Sequence, residues 1–187
     1  MRVNSRHCQS GTSLIEVLVA MIVLAIGLLG LVGLQARLQV LQMESYQRAQ
    51  GLMLLHDMAS RIALNRNAAA SYVTGSALGT GVTCPTGTAT REEADLSEWC
   101  AALQGAAETS GGGSNVGVMV GGRGCVESLG SGEYLVTVAW QGLAPLTAPP
   151  DSVACGLNAY NGGTGSPCVG DVCRRVVTTV VRISTLT

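Results

Sequence analysis

The feature that most constrains this chain is an almost unbroken apolar run near its N-terminus. Residues 14–34, within GTSLIEVLVAMIVLAIGLLGLVGLQ, contain a single charged side chain, Glu16. At about 1.5 Å per residue in a helix, such a run is about 30 Å long and matches the hydrocarbon core of a bilayer. A helix buried in a soluble domain would keep a polar stripe, and this run has none after Glu16. The sequence therefore predicts a transmembrane helix over residues 14–34.

The segment before the run predicts the orientation of the chain. MRVNSRHCQSG carries Arg2 and Arg6 and no acidic residue, so the positive-inside rule places the N-terminus in the cytoplasm. A secretory signal has a shorter apolar core, followed by its cleavage site. Here the polar leader ends in Gly11, ahead of the apolar run. We therefore expect the C-terminal part of the chain to be exported.

The cysteines agree with export. One of the seven, Cys8, lies in the leader. The other six form an even set suited to three disulfides in an oxidising compartment, and they are Cys84, Cys100, Cys125, Cys155, Cys168 and Cys173. No CxxC pair is present, and His56 is the only histidine outside the leader. We therefore predict neither a metal site nor a cofactor.

The pairing of the six cysteines is open among 15 arrangements. We predict Cys84–Cys100, because the short helix predicted between these residues lies among loops rich in glycine and threonine and needs a tether. The second choice joins Cys155 to Cys168 across GLNAYNGGTGSP. It leaves Cys125 to pair with Cys173.

The helical pattern continues beyond the apolar run as far as Leu64. Residues 35–64 contain no proline and one glycine, Gly51. Apolar and small residues recur at steps of three and four, as on one helix face, and they are Leu38, Leu41, Ser45, Leu52, Leu55, Ala59 and Ile62. The pattern predicts one helix over residues 12–64, ending at NRN, with a second half that packs on a partner surface.

A second, short helix is predicted within TREEADLSEWCAALQ. Thr90 followed by Glu93 fits a capping box. The acidic side chains suit the N-terminal half of this helix, and we interpret them as a solvated face; they are Glu92, Glu93, Asp95 and Glu98.

Two strong strands and one weak strand are predicted further along. EYLVTVAWQG and RRVVTTVVRIS are rich in β-branched and aromatic residues, and we expect residues 134–140 and 174–184 to pair antiparallel. VGVMV at 116–120 is a weaker strand signal, and residues 109–117 read as a flexible loop. The fold class is therefore α+β: a long N-terminal helix packed on a C-terminal antiparallel sheet with disulfide-tied loops.

The N-terminal run resembles the start of a type IV prepilin: a short basic leader, a glycine, a glutamate and a long apolar helix. Type IV pilins and type II secretion pseudopilins share this start. Two further stretches, HDMASRIALNRNAAASY and ADLSEWCAAL followed by GEYLVTVAWQG, resemble the minor pilins of the PilV family in order and spacing. The resemblance implies a leader over 1–11, a long helix over 12–64 and a periplasmic globular head over 65–187.

The resemblance also implies roles for three residues. Gly11 would precede the cut made by prepilin peptidase, and Thr12 would become the new, N-methylated terminus. Thr12 stands where phenylalanine or methionine is commoner. Glu16 would pair with the terminal amine of a neighbouring subunit during assembly. A newly formed α-amino group is largely cationic at neutral pH, so each of the two charges offsets much of the other's burial cost.

The function implied is that of a minor pilin, not an enzyme. It would be held in the inner membrane, with a cytoplasmic N-terminus, and then placed at the pilus tip. Its partners would be other minor pilins, an adhesin-like tip protein and the major pilin, in priming a pilus used for adhesion and twitching motility. The net charge of −1 gives no footprint for nucleic acid. The alternatives are a minor pseudopilin of type II secretion and a periplasmic binding module or enzyme on a single-span anchor.

Overall fold

The computed structural model describes residues 13–106 and 119–184. The leader, Gly11 and Thr12, the loop expected at 109–117 and most of the weak strand expected at 116–120 lie outside these ranges. Met119 and Val120 are described and are not in a strand. The chain divides into two compact units, residues 1–42 and 43–187, which are described separately below.

The long helix α1 spans Leu14–Leu64, as predicted. It begins after Ser13, whose carbonyl oxygen accepts hydrogen bonds from the N–H groups of Glu16 and Val17 at 2.9 and 3.3 Å. The segment within the first unit is exposed on every side. By length and composition α1 is able to cross a membrane.

The second unit contains a four-stranded antiparallel sheet in the order β1–β2–β3–β4. The strands are β1 (Leu78–Gly79), β2 (Arg123–Gly130), β3 (Glu133–Gln141) and β4 (Arg174–Arg182). The predicted pairing of β3 with β4 is confirmed: Val136 lies opposite Thr179, in a register without shifts. β1 and β2 are absent from the strands predicted from the sequence. β2 reads RGCVESLG, whose glycines, serine and glutamate are poor strand formers.

The face of α1 that covers the sheet differs from the predicted face. The buried residues of the helix are Gln47, Gly51, Leu55, Met58 and Ile62, and of the predicted set only Leu55 and Ile62 are among them. The reason is Trp140 of β3, whose ring lies where a side chain at position 51 would be. A Cβ atom on Gly51 would be 2.9 Å from Cζ3 of Trp140. A glycine therefore occupies a position on the packed face where the apolar pattern gave no signal.

A 3-10 helix (Arg66–Tyr72) follows α1, and the second α-helix, α2, spans Arg91–Leu103. Thr90 caps α2 by accepting a hydrogen bond from the Glu93 N–H at 3.4 Å. The Glu93 carboxylate accepts from the Ala89 N–H at 3.0 Å, one residue before the position expected in a capping box. Trp99 of α2 is buried, and its indole N–H donates to the carbonyl of Leu54 at 2.9 Å, which ties α2 to α1.

The acidic residues of α2 do not all belong to the solvated face that the sequence predicts. Asp95 is only 3% exposed. It accepts hydrogen bonds from the hydroxyl of Tyr72 at 2.6 Å and from the guanidinium of Arg61 at 2.7 Å. Arg61 also binds Asp57 and the exposed Glu98. This cluster joins α1, the 3-10 helix and α2 through one buried carboxylate.

The surroundings of Asp95 shift three pKa values. Burial opposes ionisation of Asp95, but the hydrogen bonds from Tyr72 and Arg61 outweigh it and lower the pKa of the carboxyl. Burial and the bond to Asp95 raise the pKa of Tyr72 to about 12. Burial acts to lower the pKa of Arg61, and the hydrogen bonds to Glu98, Asp57 and Asp95 raise it overall. At neutral pH the Asp95 carboxylate is therefore ionised, Arg61 is protonated and Tyr72 is neutral.

Three disulfides are present. Cys84–Cys100 is confirmed, and it ties α2 to the loop before it. The other two predicted pairs are wrong, because the structure contains Cys125–Cys155 and Cys168–Cys173. Cys125 lies on β2, and its bond fastens the loop before β4 to the sheet. Cys168–Cys173 closes a short loop immediately before β4.

Replacing Tyr72 with phenylalanine should destabilise the second unit by about 1–3 kcal/mol, because it leaves a buried carboxylate without one of its donors. Glu98→Gln is the matched control: it touches the same Arg61 from a side chain 67% exposed and should cost less than about 1 kcal/mol. Both are measured by denaturant unfolding of the detergent-solubilised chain. The reporter is fluorescence of Trp99 and Trp140, which both lie in the second unit. Equal costs for the two variants would contradict the assignment.

The same cluster predicts a pH dependence. The pKa of Asp95 is lower in the folded state than its ordinary value of 3.8, so its stabilisation is fully present at pH values well above that ordinary value. It is lost as the pH falls through the lower, folded-state value. Asp95→Asn should be less stable than wild type at neutral pH, and the difference should shrink in acid. A difference that grows as the pH falls would contradict this sign.

The disulfides should contribute in order of the loops that they close, which span 30, 16 and 5 residues for Cys125–Cys155, Cys84–Cys100 and Cys168–Cys173. On the chain-entropy account, their losses are about 3.6, 3 and 2 kcal/mol. Paired Cys→Ser variants, compared by the same unfolding measurement, test this order. A smaller loss for the Cys125–Cys155 pair than for Cys168–Cys173 would contradict it.

Candidate functional site

Glu16 lies in the first turn of α1 and is exposed. Its backbone N–H is used by the Ser13 carbonyl. The positive end of the helix dipole favours a carboxylate at this position, which is an adequate structural reason for an acid near a helix start in water. It is not adequate in lipid, where a lone carboxylate costs a few kcal/mol even on the lenient insertion scales.

Within its own described helix, Glu16 has no basic partner within reach. The next charged residue along α1 is Arg37, about 31 Å further along at 1.5 Å per residue. The side chains around Glu16 are the exposed Leu14, Ile15 and Val17. If this end of α1 lies in a membrane, the carboxylate needs a compensating cation that the described residues of this helix do not supply.

Gly11 and Thr12 lie outside the described residues, so the structure gives no geometry for them. By sequence, Thr12 is the fourth residue before Glu16 and lies two residues ahead of the start of α1. Their assigned roles rest on the order of residues alone. The structure therefore brings only Glu16 of the predicted processing and assembly set into a described element.

Gly27, Gly30 and Gly33 lie in the exposed part of α1, and the helix continues through them without a break. A Cβ atom added at any of the three would meet no atom of the described chain within 4 Å. Packing inside this molecule therefore does not require these glycines. Their spacing of three is not that of a GxxxG motif. Ordinary tolerance of glycine in a membrane helix and a locally soft helix are both consistent with this arrangement.

In the second unit, a buried polar side chain holds the loop that precedes β4, residues 142–173. Arg174 is fully buried. Its guanidinium donates to the carboxylate of Asp171 and to the carbonyls of Val153 and Cys155, the last two at 2.6 and 3.2 Å. A buried arginine with this many acceptors holds a loop in one conformation. No local pattern predicts this role for Arg174, because an arginine at the start of a strand usually faces solvent.

A second contact holds the same loop at Tyr160, between the residues that Arg174 binds. The hydroxyl of Tyr160 donates to the carbonyl of Gly121 at 2.9 Å, and the guanidinium of Arg123 lies 5.0 Å from the ring centroid of Tyr160. Burial raises the pKa of Tyr160. The loop is thus a fixed part of the head surface.

In the described residues, no three histidine, cysteine or carboxylate side chains are grouped as metal ligands would be. His56 lies exposed on α1.

Comparison with known proteins gives a match at the N-terminus. The family described as the prokaryotic N-terminal methylation motif matches residues 6–32. No curated protein and no solved structure shows significant similarity to the chain. The motif indicates a type IV pilin-like or pseudopilin-like prepilin. It implies processing by prepilin peptidase and assembly with other pilins. Together with the apolar helix it supports anchoring in the inner membrane through the N-terminus.

Proposed function

We propose that this protein is a minor pilin of a type IV pilus, similar to the PilV family, that is made as a prepilin and helps to prime the filament at its tip. The proposal rests on one observation. The methylation motif at 6–32 includes Glu16, a carboxylate for which the described helix supplies no partner. An assembly device needs an incomplete charge of this kind. A helix that served only as an anchor would do better without it.

The chemistry of the N-terminus follows from cleavage after Gly11. Hydrolysis of the bond between Gly11 and Thr12 creates an α-amino group on Thr12, which methylation leaves basic. In the membrane or in a filament core, this ammonium group and the Glu16 carboxylate of a neighbouring subunit are each costly alone and much less costly as a pair. The pair exists only after processing and docking, so it couples maturation to assembly.

The head suits an exported location under this proposal. Three disulfides stabilise proteins in oxidising compartments, and here they fasten α2 and the loop before β4. Arg2 and Arg6 would remain in the cytoplasm with the leader. The head would reach the cell surface at the pilus tip, in a complex with other minor pilins, an adhesin-like protein and the major pilin. Its activity would be assembly, in support of adhesion and twitching motility.

A minor pseudopilin of a type II secretion system is the second candidate, because the same motif is found in both classes. The two are separated by deletion of the gene. Loss of surface pili and twitching, with enzyme secretion unchanged, is expected of the minor pilin. Intact pili with lost secretion would identify the pseudopilin.

Gly11→Val should leave the leader attached, because a branched side chain at the residue before the cut blocks the peptidase. The protein should remain about 1 kDa larger in membranes and be absent from sheared pili. Gly11→Ala adds a single methyl group and is the control for the size of the side chain at this position. N-terminal sequencing of membrane and pilus fractions gives the answer. A mature terminus at Thr12 in the Gly11→Val protein would refute the processing site.

Glu16→Ala should be inserted and cleaved but assemble poorly, because the terminal amine of the neighbour loses its partner, at a cost that reaches several kcal/mol. Glu16→Gln keeps the shape and removes the charge, so it should be nearly as defective. Ile15→Ala, next to it on the exposed helix, is the control and should assemble normally. The measurements are co-purification with other minor pilins and pilus counts. Normal values for Glu16→Gln would mean that the charge has no assembly role.

A further inference from the structure

The outer side of β4 is an open strand edge. β4 ends the strand order β1–β2–β3–β4, and in the ranges 13–106 and 119–184 no strand pairs with its far side. With nine residues it is as long as β3. An exposed strand edge offers rows of N–H and C=O groups that pair readily with another chain.

The hydrogen bonds at the two ends of β4 show which groups face outward. The Ile183 N–H donates to Gly132, and the Gly142 N–H donates to Cys173, both at 2.8 Å. Both bonds fit the register of β3 and β4, in which partner numbers sum to a constant. Odd-numbered residues of β4 therefore bond to β3, and even-numbered residues alternate away from it. The outward set is Val176, Thr178, Val180 and Arg182.

Between its terminal arginines, this edge lacks the features that usually protect one. Residues 176–181 read VVTTVV, with no proline and no charge, and the pairing with β3 has no bulge. The opposite side of the sheet is different. There β2 is covered by the two-residue strand β1 and by Thr74, whose N–H donates to the Val126 carbonyl at 2.9 Å. Natural proteins blunt their edges, so a long unprotected edge on one side indicates an interface.

A groove of about 190 Å³ lies beside the start of this edge. Apolar side chains, including Trp140, Leu146 and Val177, line it, and its charged side chains are Glu44, Arg48 and Arg175. Glu44 pairs with Arg175 at 3.3 Å, which leaves the exposed Arg48 as the excess charge. The groove is therefore complementary to a partner segment that places an apolar side chain in the groove and a carboxylate beside Arg48.

A second copy of this chain is a poor occupant of the edge. Two β4 strands pairing antiparallel would be related by a two-fold axis normal to the sheet. That axis reverses every direction in the plane of the sheet, including that of helix segment 43–64 packed on it. Two subunits whose helix segments 43–64 point in the same direction cannot adopt this arrangement.

We propose that the outer edge of β4 binds an extended strand of a neighbouring, different pilin-like subunit, with an apolar side chain of that strand in the groove and a carboxylate at Arg48. This inference rests on the proposed function, which supplies neighbours in a common orientation. The added strand continues the sheet, so main-chain bonds to residues 176–182 give affinity and the groove gives selectivity.

Photocrosslinking in cells that assemble the filament tests the proposal on the full chain. A photoreactive amino acid replaces Val180, 44% exposed on the open edge, or Leu129, a 53% exposed residue of β2 as the control. Mass spectrometry of the digested adduct identifies the protein and the segment captured. Position 180 should give an adduct with an extended segment of another pilin-like subunit, and position 129 should not.

Two pairs of variants then test the edge and the groove in the chain carrying the label at 180. Thr178→Pro removes one outward N–H at an edge position where proline is tolerated, and Thr178→Val keeps it. Loss of one hydrogen bond should lower the adduct yield about three- to tenfold in the proline variant only. Arg48→Glu should also lower the yield, and Arg48→Lys should retain it. Intact disulfides and an unchanged thermal midpoint verify folding, and if Thr178→Pro fails this check the Arg48 pair decides.

Three results would overturn the proposal: equal labelling from positions 180 and 129, capture of a protein that is not pilin-like, or equal yields within both variant pairs. If the chain is nonetheless cleaved and co-purifies with pilin-like subunits, the inference about β4 fails and the proposed function stands. If it is neither cleaved nor associated, both fail.

Discussion

One helix has to suit two environments, and the rest of the structure depends on how it does so. Over residues 14–34 α1 is apolar on every side except at Glu16, as a segment in lipid must be. From Gln47 onward it is one-sided, and its buried face covers a sheet. The packed face of α1 depends on small residues as much as on apolar ones. Gly51 leaves space for the ring of Trp140, and a side chain at this position would occupy that space. β3, covered by α1 on one face and by the disulfide-tied loop on the other, is the most buried strand.

The long helix, its end, the capped helix α2 and the β3–β4 pair could be predicted, because each has a strong local signal: an unbroken periodicity, a capping residue or a run of β-branched residues. β2 could not, because its sequence is locally unlike a strand and contacts distant along the chain, chiefly pairing with β3, hold it. That one omission accounts for the incorrect disulfides. Without β2, nothing placed Cys125 beside Cys155, and elimination gave Cys173 instead.

Two carboxylates illustrate which parts of a site sequence can reveal. Asp95 looked like one of several acids on a solvated helix, and the structure buries it among donors from Tyr72 and Arg61, residues 23 and 34 positions away. No local pattern reports such a partnership. Glu16 was conspicuous for the opposite reason: its surroundings are uniformly apolar, so a single charge is out of place there. A charge whose partners are distant in sequence cannot be recognised from the sequence, whereas a charge within an apolar run can.

Under the proposed function, an ion pair at Glu16 would let subunits associate, but it would not determine which neighbours they choose. Helices in lipid gain no hydrophobic driving force from contact with one another, so an ion pair at Glu16 would add much of the affinity. A motif shared across a family, however, offers every member the same pair and therefore no discrimination between them. Selectivity has to come from surfaces that differ among subunits, and those lie in the head. On this head the loop before β4 is held by Arg174 and the disulfides, and the β1 side of the sheet is covered. Among the described residues nothing pairs with the outer edge of β4, and under our proposal a particular neighbour is recognised there, at the groove beside Arg48.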